Sequence, residues 1–135
     1  MPRDTVKINP LALVAAKQRV GQEDTDAIAL PILVHFDAAK RGQCRAVGVN
    51  HMTTHLIIAS YLAAHTRSKR YHEIVTHAYN MLAKAAARPT DLLDLTTSEY
   101  HALRAAFSWY LRSLPMIEVG MLNAAYKVAE KMMGA

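Results

Sequence analysis

Apolar residues recur along this chain in the three- and four-residue steps of a helix, with breakers between the runs. Asn9-Pro10 opens the first run, because Asn can cap a helix and Pro is preformed for its first position. Leu11, Val14 and Ala15 form its stripe, and Gly21 ends it near Val20. The polar stretch "QEDTD" then supplies acids suited to the start of the next helix. That helix is predicted from about Asp26 to Arg41, with Ile32, Leu33, Phe36 and Ala39 on its buried side and Gly42 as its terminator. Pro31 lies within the pattern, so the helix either begins near Leu30 or bends there.

A third helix is predicted over about Asn50 to His65, with Asn50 or Thr53 as its cap. Leu56, Ile57, Ile58, Ala59, Tyr61, Leu62 and Ala63 make it apolar almost all round, which marks a central helix covered on several sides. The fourth covers about Lys69 to Arg88, is capped by Ser68, and buries Tyr71, Ile74, Val75, Ala78, Tyr79, Leu82 and Ala85. Only "TRS" separates these two, so they form an antiparallel hairpin. After the break "RPTDLLDLTTSEY", Thr96 and Glu99 have the spacing of a capping box. Beyond it, Leu103, Phe107, Tyr110, Leu114, Ile117, Met121, Ala124 and Val128 keep alternating steps across Pro115. That continuity favours one long helix from about Thr97 to Met133, kinked at the proline. Two helices with a tight joint are the alternative.

No segment reads as a strand, and no repeat of solenoid period is present. The pattern predicts an all-α bundle of about five helices in one domain over residues 1–135. Residues 1–25 are an N-terminal arm with a short helix, and 26–133 the bundle core. A helical hairpin lies at the centre and the C-terminal helix is kinked or broken at Pro115. Composition agrees: 23 Ala and 14 Leu against five Gly and five Pro favour helix in a chain of 135 residues.

Composition also narrows the setting. Cys44 is the single cysteine, which rules out an intrachain disulfide or a zinc site built on several thiolates. The start "MPRDTVKINP" lacks the apolar core of a signal peptide. No run free of charge and histidine exceeds the nine residues of Leu56–Ala64, against about 20 needed to cross a bilayer. A cytoplasmic protein without membrane contact is the expectation.

Charge changes the picture most. The net charge is +5, yet the segment from Lys40 to Thr90 holds eight cations and one acid, Glu73, and so carries +7. It also holds five of the seven histidines. The densest point is "HTRSKRYH", residues 65–72. Arg67 suits the C-terminal dipole of the preceding helix, whereas Lys69 and Arg70 open the next one, where the dipole disfavours cations. With free backbone N–H groups at that end they would make an anion site. Arg67, Lys69, Arg70 and Tyr71, with Lys40, Arg41 and Arg45, are therefore the candidate partner-binding residues. An acidic protein is the first partner they suggest. Nucleic acid is the second, with Tyr71 as a stacking ring. Ordinary solvated surface charge accounts for the same residues without any partner.

Other constellations are thinner. His51 and His55 in "HMTTH" have the spacing to share a zinc ion, but the glutamate of H-E-x-x-H is missing and no third ligand is indicated. No metal or cofactor is expected, and hydrogen-bonded, partly buried histidines are the simpler reading. Histidines crowding a basic region would also gain charge below about pH 6.5. Cys44 lies between Arg41 and Arg45, which would lower its pKa, but no base stands beside it in the sequence. Glu73 and His77 suit a local pair on one helix face. No nucleophile elbow or Gly-rich phosphate loop is present, so the chain reads as a non-enzyme. Trp109 projects about 200° from Phe107 around a helix, on the side of Ala105, Met116 and Gly120. That second apolar face is either sandwiched inside the domain or forms a homodimer interface through Trp109 and Met116.

Several phrases together carry a resemblance: Leu30-Pro31, "FDAAKRG" ending at Gly42, "NHMTTHLIIASYLA" opening at Asn50, and "LTTSEYHALRAAFSWY". Over about residues 26–133 the chain resembles small all-helical proteins of unknown function carried by proteobacterial prophages and other mobile elements. The likeness rests on helix-boundary residues, and the chain departs from it in its many histidines and basic hairpin tip. It implies a regulatory accessory protein that binds a host protein or nucleic acid.

Overall fold

The computed structural model describes residues 15–134 and is all-α. Among the described residues five complete α-helices follow in order: α1 Gln22–Lys40, α2 Ala46–Thr66, α3 Lys69–Ala86, α4 Thr97–Ser113 and α5 Val119–Met132. A 3-10 turn, Leu114–Met116, separates the last two. Of the predicted first helix, Asn9, Pro10, Leu11 and Val14 lie outside the described residues, while 15–17 are helical.

The apolar helix predicted to be central is α2. Met52, Leu56, Ile58 and Leu62 have no solvent exposure, because α1, α3, α4 and α5 all pack around it. Each such side chain contributes about 1.5–3 kcal/mol by leaving water. The helix begins at Ala46, a turn earlier than expected, and neither Asn50 nor Thr53 caps it. Arg45 holds the cap position in extended backbone, just after Leu93 N–H donates to the Cys44 carbonyl at 2.7 Å. Thr53 and Thr54 instead donate back to the carbonyls of Val49 and Asn50, as hydroxyls do inside a helix. Gly48 permits the early start: a Cβ there would meet Cys44 Sγ at 2.6 Å and His35 Nδ1 at 2.8 Å, so α1 approaches within glycine distance.

Pro31 neither starts nor stops α1, which runs through it from a Gly21 cap. The ring faces solvent, so the carbonyl deprived of its partner can turn to water. Ile32, Phe36 and Ala39 are buried as expected, but Leu33 is 48% exposed. Ser68 caps α3 by accepting from Tyr71 N–H at 3.3 Å, and Arg67, in left-handed backbone at φ 58°, closes the hairpin with α2.

The capping box at Thr96 forms in both directions. The single long helix does not. Ile117 is extended at φ −97°, ψ 138°, so α4 and α5 are separate helices. Pro115 cannot donate to a continuing helix. The backbone groups released around it are taken up by the residues before α1: Val20 N–H donates to Ile117 O at 2.9 Å, and Val119 N–H to Gln18 O at 2.7 Å. The unbroken apolar phase was misleading, because burial follows it through Leu114 and Ile117 and then moves one residue on, to Leu122, Ala125 and Ala129. That shift turns α5 onto α2 and away from α4.

Candidate functional site

Lys40, Arg41 and Arg45 lie near the start of α2, whereas Arg67, Lys69 and Arg70 lie at its far end. A 21-residue helix separates the two groups by roughly 30 Å, so the basic segment is not one patch.

At the first end most of the charge is engaged. Arg88 at the end of α3 grips Glu99 with two hydrogen bonds of 2.7 Å and also donates to the Asp94 carbonyl. Arg88 holds the Glu99 carboxyl down at about 2, against burial, with help from the Thr96 N–H. Arg41 pairs with Asp37, and Lys40 sits 5.2 Å from the centre of the Tyr100 ring.

At the hairpin tip, Arg67, Lys69 and Arg70 are exposed, and none of them has an acidic partner among the described residues. No acid occupies the first turn of α3. The N–H groups of Lys69 and Arg70 find no acceptor among the described residues. Arg67 and Lys69, with Ser68 and His72, border a shallow hollow of about 250 Å³.

Tyr71 is not part of that surface. It is 2% exposed, it hydrogen-bonds Ser113 Oγ at 3.3 Å, and its ring stacks on Trp109 at 5.7 Å. Burial pushes its pKa up to about 12. The expectation that Tyr71 stacks on a base fails, because its phase on α3 puts the ring inward. Trp109 in turn is half-buried, with the Arg112 guanidinium 5.7 Å from its ring centre, which brings a further cation to the tip. Met116 is 68% exposed, but on the 3-10 turn and not on α4. Gly120 is closed off by Ala16, which stands 3.1 Å from the site of a Cβ. The break at Pro115 has thus dismantled the continuous face predicted through Trp109 and Met116.

A second constellation was half visible in the sequence. His51 and His55 are joined by His35 of α1 in a row, with ring centres 5.2 and 4.7 Å apart. His55 is buried and hydrogen-bonds the Tyr110 hydroxyl at 2.9 Å, and Tyr126 of α5 meets its ring edge-on. Burial, and secondarily His51, pull the pKa of His55 down to about 4, so it is neutral at pH 7. Burial and then His35 lower that of His51, whose Nε2 is buried without a partner among the described residues. The rings follow one another and do not converge. Among the described residues no group of three or more His, Cys, Asp or Glu is placed to hold a metal ion. His55 is interior and His51 half-buried, so these two do not belong to a histidine-rich surface, whereas His65, His72 and His77 are exposed.

Cys44 is also interior. Burial raises its pKa, opposite to the effect expected from Arg41 and Arg45. Glu73 and His77 form no ion pair. No described helix is long and apolar enough to cross a membrane. No protein-family model matches the chain, and neither does any curated protein or solved structure.

Proposed function

We propose that this is a non-enzymatic binding protein, a regulatory accessory of a phage or mobile element acting in the cytoplasm, and that it docks the tip of its α2–α3 hairpin on an acidic protein surface. The observation that carries the reading is the local imbalance at the tip. Arg67, Lys69 and Arg70 are exposed and unpaired among the described residues, and two of them open a helix whose dipole repels them. An acidic side chain on a partner would reverse that cost and gain charge-assisted hydrogen bonds from the tip. Burial of Tyr71 favours this reading over nucleic acid, since the ring expected to stack on a base is turned inward.

Affinity capture from host extract tests the reading, with and without nuclease, using the native protein and a Arg67→Glu, Lys69→Glu, Arg70→Glu variant. The expected result is a protein partner that survives nuclease and is lost with the variant. A partner lost to nuclease transfers the tip to nucleic acid, and identical capture by both proteins removes the tip from function.

A further inference from the structure

The outer face of α1 carries large aliphatic side chains that stand open among the described residues: Leu30 is 65% exposed, Val34 57% and Leu33 48%. The middle of a surface helix normally shows water a polar face, and a cluster of this kind marks an interaction site. What could cover it is written in the rest of the helix. Steps of four and three residues place Glu23, Ala27, Leu30, Val34, Asp37 and Arg41 along one outward line, all exposed. The line opens on the acid Glu23, is aliphatic in the middle, and closes on Arg41 beside its helix partner Asp37.

That order is complementary to its own reverse. If a second α1 is laid antiparallel about a twofold axis at residue 32, Leu30 meets Val34 of the other copy and Val34 meets Leu30. Glu23 meets Arg41 at both ends. A twofold interface requires this reciprocity, in which each contact occurs twice with the roles exchanged. A parallel pairing would instead set acid against acid and base against base. Arg41 already leans on Asp37 of its own helix, so it is held on the outward side where a second carboxylate can reach it.

We propose that the chain forms a homodimer through antiparallel packing of α1 against α1 of a second copy, with Leu30 and Val34 at the centre and Glu23–Arg41 pairs at the two ends. This interface is separate from the hairpin tip and does not depend on the binding role given to it.

Sedimentation velocity over a concentration series tests it, with circular dichroism to confirm that each variant is folded. The native protein should show a concentration-dependent dimer. Leu30→Glu with Val34→Glu, both at exposed positions, should abolish it over the same range. Glu23→Arg alone and Arg41→Glu alone should each weaken the dimer, and the two together should restore it, since the swap recreates both end pairs. A native protein that stays monomeric at every concentration overturns the proposal. So does a dimer indifferent to Leu30 and Val34, or one weakened further by the double charge swap.

Discussion

The two ends of α2 carry cations in similar number and treat them in opposite ways. Near Arg45 the guanidinium of Arg88 is tied into Glu99 and the Thr96 cap, Arg41 pairs with Asp37, and Lys40 lies against Tyr100. Near Arg67 three cations stand in solvent beside a helix start that holds no acid. Charge that looks continuous along a chain is divided in space by one helix length. At one end Arg88 ties down the buried Glu99, and at the other no cation has an acidic partner among the described residues.

Removal of a cation at each end is the strongest way to break this contrast. Arg88→Ala leaves the Glu99 carboxylate buried without its partner and should cost about 3–4 kcal/mol in urea unfolding, a large part of a small domain's stability. Arg67→Ala, Lys69→Ala and Arg70→Ala together should cost less than about 1 kcal/mol, as surface changes do. Equal losses at the two ends would show that the tip is structural.

Acid gives the next largest effect, and it separates the paired end from the histidine row. The folded-state pKa of His55, about 4, lies below the ordinary 6.5, so the unfolded chain binds more protons between these values. Stability should therefore fall as pH drops from 6.5 to 4, by up to roughly 3 kcal/mol, and this group adds no slope above that window. Glu99 is shifted in the same direction from 4.5 to about 2, so its contribution is intact above about pH 5 and is lost progressively as pH falls from 4.5 to about 2. Unfolding midpoints of the native protein and His55→Phe, followed from pH 7 to pH 4, should diverge if the row is the source. Parallel curves would assign the acid response elsewhere.

Smaller effects sharpen the picture of the tip. Ser68→Ala removes the acceptor for Tyr71 N–H and should cost about 1 kcal/mol in thermal or urea unfolding. Lys69→Glu should do the reverse. An acid in the first turn of α3 favours the dipole and should stabilise the fold by about 0.5 kcal/mol, while it weakens any acidic partner. A variant that is more stable and binds less well would identify Lys69 as a residue kept at some cost to the fold.

Local chemistry was legible in the sequence, and long-range chemistry was not. The Ser68 cap, the Thr96–Glu99 box and the all-round burial of α2 depend on neighbours a turn or two away, and all three appear as read. The early start of α2 depends on Leu93 pairing with Cys44, and the break at Pro115 on Gln18 and Val20 reaching Ile117 and Val119. Neither partner can be inferred from helical spacing. His35 was missed for the same reason: it joins His51 only because α1 folds back on α2, although the bare Gly48 was a hint that something comes close there. Tyr71 carries two incompatible signals, a buried phase on α3 with Val75, Ala78 and Leu82 and a place amid cations, and the structure follows the phase.

The bridge between Arg19 and Glu118 has a consequence for the order in which the molecule is made. Arg19 also reaches the Met116 carbonyl, 97 residues further along. A chain leaving the ribosome can assemble the α2–α3 hairpin early, since its contacts are local. Among the described residues, the long-range backbone partners of Gln18 and Val20 are residues 117 and 119, which emerge last. Closure of the fold is thus a late event in synthesis, and a chain truncated before Val119 would keep its central hairpin yet lose the clasp that seats its beginning.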